Sequence, residues 1–374
     1  MSCIIDLTKH SAAYGARLLA EAGHEVIRVE PRKGDMLRRL GPHVADHLDL
    51  EHGPYHMFLN MGKKSLTLEL TLQEGREVFL KLIETADALV ANAPLPIEEK
   101  LLRQRNSRLV LTLLEDELPE ICAYARSGLM SITGQPSQRP VLAGGHVTYA
   151  ITGLYVAIAA AAAINAQHLT GQGEVVRVSA QQSLESLMEQ AVVAYTSSGE
   201  ITRRRGLRGQ ITSVSGALEC LDGYWMVSVP PNPQAWSKIK EWVADPTLMT
   251  DASLDDDIGR DRKRDLILDR LEAWSRQWPK EHLVTGAQSR RIAASPVATP
   301  AELVQDPQLL ERGFLTAIKD PELGCVTVPG GAISTPRGVP LNRAPSLGEH
   351  NAEILLRLGY SKLEQQALME NGVL

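Results

Sequence analysis

Short apolar runs alternate with helical ones from Cys3 to Leu113, and this alternation constrains the fold more than any other feature of the chain. "CIIDLT" predicts a strand, and "SAAYGARLLAEAG" predicts a helix with Leu18, Leu19 and Ala22 on one face. Gly23 can close that helix in the left-handed conformation. "EVIRVE" predicts a second strand, and "SLTLEL" alternates Leu66, Leu68 and Leu70 as a third. Thr71 with Glu74 predicts a capping box ahead of a helix that carries Val78, Phe79, Leu82 and Ile83 on one face. "DALVAN" and "RLVLTL" supply two more strands. Repeated strand and helix units of this kind imply a doubly wound α/β fold: a twisted parallel sheet with helices on both faces, and ligands beyond the carboxyl ends of the strands. No GxGxxG follows the first strand, which disfavours a dinucleotide site.

At 374 residues the chain suggests two domains. After "GEVVRVS", a further strand, Ser179 with Gln182 is placed to cap a helix through Met188 and Ala191. From about Gly216 the pattern changes to a strand, "DGYWMVSV", and helices holding Trp236, Trp242, Trp274 and Trp278. This places a large domain at 1–215, a smaller α+β domain at 216–315 and a return segment at 316–374, whose last helix packs back on the large domain. The Ala-rich stretch Ala150–Ile164 is shorter than the ~20 residues a bilayer requires. It reads as a buried helix, whose small side chains let another backbone come close.

Thirty-nine basic residues against 45 acidic ones give a net charge of −6, without the basic block that nucleic acid demands. The one basic cluster, "TRRRGLRG" (Thr202–Gly209), is either a solvated turn or a clamp for a phosphate or carboxylate. Cys3, Cys122, Cys220 and Cys325 lie too far apart in sequence for CxxC chemistry or a zinc site, so no metal is expected. The start "MSCIIDLT" lacks a signal-peptide pattern. A cytoplasmic protein with no membrane partner is the expectation.

Several phrases, taken in order, resemble the class III CoA-transferase family, which includes formyl-CoA and carnitine CoA-transferases and the α-methylacyl-CoA racemases. They are "IIDLT" with "GARLLAEAGHEVIRVEPRKGDMLRRLGP", "NMGKKSLTLEL", "ADALVANAP", "SRLVLTL", "YARSGLMSITGQPSQRPV", "HLTGQGEVVRVS", "SPVATPAELVQDPQLLERGF", "APSLGEHNAEILLRLGY" and the terminal "NGVL". The resemblance spans most of the chain. It implies a large domain built from the N-terminal half and the C-terminal tail, a small domain between them, and two chains interlocked as a dimer. It also implies a coenzyme A thioester as substrate, with no permanently bound cofactor, and a carboxylic acid as acceptor. Residue by residue, Arg38 matches an arginine that meets the CoA nucleotide, Lys64 a lysine near the same moiety, and Asn92 a residue lining the cleft. Lys100 stands about where the family often has an arginine.

The family's chemistry rests on an aspartate that attacks the thioester to form a mixed anhydride. In "YAITG" that position is Tyr149, four residues before Gly153. A phenol with an ordinary pKa near 10 is mostly neutral and cannot form an anhydride that CoA reopens. The segment after "LTLLEDELPEI" is shorter than in the family, "GLRGQITSVSG" stands where a glycine run would shield the intermediates, and "SAA" (Ser11–Ala13) replaces Ala-Gly-Pro at the first CoA-facing turn. These departures predict the non-catalytic partner of a heteromeric class III CoA-transferase, joined to a sister chain that retains the aspartate, as in benzylsuccinate-type enzymes. Two alternatives stay open. One is a self-sufficient enzyme of racemase or isomerase type using His146; the other is an acyl-CoA binding protein without turnover.

Overall fold

A computed structural model describes residues 1–42, 49–208, 212, 214–332 and 342–374. Six strands, β1 (Cys3–Leu7), β2 (Glu25–Glu30), β3 (Lys64–Thr67), β4 (Ala88–Asn92), β5 (Val110–Glu115) and β6 (Val175–Ser179), form one sheet. Their order is β3-β2-β1-β4-β5-β6, and every neighbouring pair is parallel. Strand alternation sends Ile5, Ile27, Leu89 and Leu111 to one face and Ile4, Val26, Ala88 and Val110 to the other, so each face has its own core. On the first face pack helix α3 (Gln73–Thr85), through Val78, Phe79, Leu82 and Ile83, and the two C-terminal helices, through Ile354, Leu355 and Leu368. The second face is covered by α1 (His10–Glu21) and α7 (Val147–Thr170). Three shorter helices follow strands or lead into them: α2 (Pro54–Leu59), α4 (Glu99–Arg105) and α5 (Glu120–Arg126), with α6 (Leu129–Ile132) after them. Gly23 sits at φ +91°, the left-handed close expected for α1.

The sequence reading fails locally in two ways. The third strand ends at Thr67, because beyond it Glu69 donates its backbone N–H to Val373 at the chain's other end (2.8 Å). No capping box forms at Thr71 and Glu74: the Thr71 hydroxyl donates to Glu69 (2.6 Å), and α3 starts after Leu72 without a side-chain cap. The predicted Ser179 cap does form, its Oγ accepting from the Gln182 backbone at 3.1 Å.

The chain divides into two compact units. One holds Met1–Leu129, Ala143–Val192 and Pro307–Leu374, and the other holds Met130–Leu142 and Val193–Asp306. The second unit therefore begins before the expected residue 216, gains a segment from the middle of the chain, and ends before 315. Its core gathers Trp225, Trp236, Ile239, Leu268, Leu271 and Leu283 around the antiparallel strands β7 (Val214–Cys220), β8 (Gly223–Val229) and β9 (Ala293–Pro296). Within that unit Arg204 donates to the carbonyls of Ser131, Gln135 and Gln138, while Arg208 pairs with Asp265 and Asp269. The basic cluster is thus partly spent on structure. In the first unit, β10 (Leu315–Asp320) and β11 (Gly324–Pro329) form a hairpin.

The Ala-rich helix is longer than expected. At 24 residues, with a mean hydropathy of 1.9 over its most apolar window, α7 has the length and composition to cross a membrane. Here Val156, Ala160, Ala163 and Ile164 pack on the sheet and α1 instead. The small residues bring the helices together at one point: a Cβ on Gly15 would stand 2.5 Å from the Gly153 carbonyl oxygen. Thr152 adds a hydrogen bond from its hydroxyl to the Ser11 carbonyl (2.5 Å).

Candidate active site at the switch point of the sheet

The strand order reverses between β1 and β4, and the crevice at their carboxyl ends is where a sheet of this topology holds ligands. Asn92, the last residue of β4, spans that crevice. Its Oδ1 accepts from the Lys9 backbone (2.7 Å) and its Nδ2 donates to Ser11 Oγ (2.8 Å). Ser11 in turn donates to Glu117 (2.8 Å), which also pairs with Lys9 Nζ at 3.1 Å. Asn92 therefore stands at the switch point with its side chain occupied in fixing the start of α1.

The close approach of α1 and α7 brings their N-termini together, and four rings meet there. His10, the first residue of α1, lies with its ring centroid 4.7 Å from Tyr149, 4.9 Å from His146 and 5.1 Å from Tyr55 on α2. His146 and Tyr149 stack at 5.7 Å, 3° from parallel. His146 caps α7 in the left-handed conformation (φ +51°), and its Nδ1 is 2.6 Å from a carboxylate oxygen of Glu120 at the start of α5. The second Glu120 oxygen is buried without a hydrogen-bond partner. Burial, together with neighbouring His146, pushes the His10 pKa down to about 4, so that ring is neutral at pH 7. Burial and the Glu120 charge raise the pKa of Tyr149, although the Glu120 backbone N–H donates to its phenol oxygen. Tyr149 is thus a neutral phenol in the first turn of α7.

Arg38 lies elsewhere in the same unit, inside a buried charge network. All five of its N–H groups are engaged: Nε and Nη2 with Glu30 (2.7 and 3.0 Å), Nη1 with Leu50 O and Glu51 (3.1 and 3.0 Å), and Nη2 also with Pro345 O (3.0 Å). With no donor left, Arg38 in this arrangement is a structural cation and not a free hand for a nucleotide. The network continues through Asp6 and Arg28, which face each other in register on β1 and β2, and through Lys63, whose Nζ meets Asp6 at 2.8 Å. Burial alone would raise the Asp6 pKa; Arg28 and Lys63 hold it well below the carboxylate range.

Lys64 is shared between Glu25 (2.8 Å) and Glu353 (2.5 Å), and lines an open cleft of about 540 Å³ together with Lys319, Arg343 and His350. Lys100, at the start of α4, is exposed and makes no ion pair among the described residues. The structure thus brings His146 and Tyr149 together but leaves Arg38, Lys64 and Lys100 outside that ring cluster. Asp49, His52 and Glu322 place donor atoms within 4.8 Å of one another. His52 already uses both ring nitrogens, on Asp49 (2.5 Å) and Asp320 (3.2 Å), so this group ties the segment at 49–52 to the β10–β11 hairpin.

His10, Tyr55 and Glu120 escaped the sequence reading. His10 opens α1 three positions after the first strand ends, which was a usable signal; Glu120 joins a residue 26 positions away, and nothing local marks that pairing.

A parallel six-stranded sheet of this order, with four rings gathered at its switch point, defines a doubly wound α/β protein. The sequence description of CoA-transferase family III matches residues 3–115 and 119–351, and the chain belongs to that family. It is 30% identical to a succinyl-CoA:mesaconate CoA-transferase of Haloarcula hispanica, over 95% of each chain. It is 27% identical to the BbsE subunit of the succinyl-CoA:(R)-benzylsuccinate CoA-transferase of Thauera aromatica, over 99% of this chain and 96% of that one. Among solved structures, a CaiB/BaiF family protein from Brucella suis superposes with a TM-score of 0.84 at 24% identity, covering 96% of this chain and 98% of the other, which shows the shared fold.

Proposed function

We propose that this chain is the partner subunit of a heteromeric acyl-CoA:carboxylate CoA-transferase, and that a sister chain supplies the nucleophilic aspartate. The carrying observation is the first turn of α7. Tyr149 stands there as a neutral phenol among His10, His146 and Tyr55, and the carboxylate closest in that group, Glu120, is bound to His146. A mixed anhydride needs an ionised carboxylate free to approach the thioester carbon, and neither residue offers one. The relative BbsE, by its name a subunit of a larger transferase, supports a heteromer. So does the outer face of α7, where Leu154, Tyr155, Ile158 and Leu169 are exposed apolar residues suited to a second chain, whether a sister or another copy interlocked with this one.

The acyl donor in this reading is a CoA thioester, the acceptor a carboxylic acid, and the compartment the cytoplasm. Lys319 beside the open cleft and Lys100 on α4, neither in an ion pair among the described residues, are the cations proposed to meet CoA phosphates, since Lys64 and Arg343 at the same cleft are held by Glu25, Glu353 and Glu349. The test is CoA transfer from succinyl-CoA to a panel of carboxylic acids, by this chain alone and after co-expression with a sister that has Asp at the position of Tyr149. Transfer by the pair alone is the expected result. A fully active, pure homodimer overturns the reading.

A further inference from the structure

The Glu120–His146 pair is not accounted for by a purely structural subunit. His146 caps α7 without any side-chain hydrogen bond to the helix, so its ring is not spent on capping. Nδ1 is held by Glu120 at 2.6 Å, which fixes the tautomer and leaves Nε2 as an acceptor. The histidine is the accessible member, with 39% of its side chain exposed against 12% for Glu120. Space is open beside it, since a Cβ on Gly144 or Gly145 would meet nothing within 4 Å. His10 stays neutral and Tyr149 protonated, so both can donate hydrogen bonds to a developing oxyanion. The N-termini of α1 and α7 add positive partial charge from two helices of 12 and 24 residues.

We propose that Glu120 and His146 form a general-base dyad that hydrolyses acyl-CoA thioesters at this chain's own switch point. His146 Nε2 takes a proton from water as the water oxygen bonds to the thioester carbonyl carbon. The tetrahedral oxyanion is met by Tyr149 and His10. It collapses with cleavage of the carbon–sulfur bond, and the departing thiolate takes the proton back from His146, giving a carboxylic acid and free CoA thiol. Glu120 is a positioning residue: one of its oxygens is buried and the other is bound to the imidazole, so water and not the carboxylate is the nucleophile.

This inference rests on the reading of the chain as one that receives acyl-CoA, but it does not need the sister chain. The experiment uses the full chain alone with succinyl-CoA, no acceptor acid and water enriched in oxygen-18, following thiol release and the label in succinate. CoA binding is measured calorimetrically on the same samples. Thiol release with one labelled oxygen per succinate is expected. His146→Gln lowers kcat by roughly 10²- to 10⁴-fold. Glu120→Gln lowers kcat with KM unchanged, and Glu120→Asp restores part of it, a pattern that a merely structural tie does not produce. Absence of hydrolysis with CoA bound, or an unchanged rate in folded His146→Gln, overturns the dyad and leaves the transferase reading standing. Deuterium entering the α-carbon from heavy water without thiol release also overturns it, in favour of proton transfer at carbon. Loss of transfer in the co-expressed pair overturns the transferase reading and leaves the dyad untouched.

Discussion

At the scale of single residues, buried charge decides most of what this chain can tolerate. Glu30 and Arg38 are both fully buried and pair at 2.7 Å, with Glu51 as a second, partly exposed partner of Arg38. Removing one partner of such a pair leaves an uncompensated charge and typically costs about 3–5 kcal/mol. Because Glu51 still pairs with Arg38, Glu30→Ala is expected to lower the unfolding free energy by the lower end of that range, about 3 kcal/mol, measured by urea denaturation. His52 gives a pH signature. Burial disfavours its protonation, but Asp49 and Asp320 outweigh that and raise its pKa, with Glu322 3.9 Å away as the third acid facing the ring. A raised folded-state pKa contributes stability that is fully present below the unfolded value of about 6.5 and is lost as pH rises through the folded value. The stability gap between wild type and His52→Gln is expected to be of order 1 kcal/mol in mild acid, since Asp49 is partly exposed, and to narrow above neutrality. A gap that widens with pH contradicts that assignment. Some of this was open to inspection in the sequence, where Asp6 follows Ile4 and Ile5 and Arg28 sits between Ile27 and Val29. That they face one another in register, and that Lys63 joins them, depends on how β1, β2 and the turn before β3 come together.

Among the elements, the strands and the helix faces were legible because their periodicities are set by the backbone itself. The continuous apolar run that marks most of the strands is buried on both faces, and the strand's twofold period assigns each residue to one of the two cores. Caps were less legible, because a cap is a competition between nearby groups: Thr71 had two partners in reach and took Glu69. The Ala-rich stretch showed that α7 would be approached closely, but not by what. The partner is α1, at Gly15, where the backbones come too near for any side chain. Gly15→Ala is expected to destabilise by about 1–3 kcal/mol, the range for forcing an extra methyl into a packed interior. It should also reduce the function of the site, since this crossing holds His10 against His146 and Tyr149. Gly144→Ala, where a Cβ meets open space, is expected to stay within about 0.5 kcal/mol of wild type. Thermal melts of the two variants side by side test the crossing directly.

For the whole molecule, the family was readable from the order of the motifs, while the composition of the ring cluster was not. Tyr149 and His146 stand three residues apart in one run of sequence, but His10 and Glu120 reach them from other elements, and only the packing of α1 and α5 on α7 assembles the four. The outer side of α7 raises the complementary question of what covers it. Ile158 is 64% exposed, Leu154 43% and Leu169 80%, along a helix whose other side is core. An apolar stripe of this kind is costly in water, and it is the surface proposed to meet a second chain. If a sister chain buries Ile158, its side chain contributes about 1.5–3 kcal/mol to assembly, and a lysine there weakens the complex by roughly 10- to 150-fold. Ile158→Lys is therefore expected to fold normally, judged by circular dichroism and its melting temperature, yet to lose co-purification with the sister and CoA transfer by the pair. Hydrolysis of succinyl-CoA by the variant alone should persist, because Ile158 lies about two and a half turns along the helix from Tyr149. Retained co-purification would move the interface off this face of α7, and a joint loss of folding and assembly would show Ile158 to belong to the core.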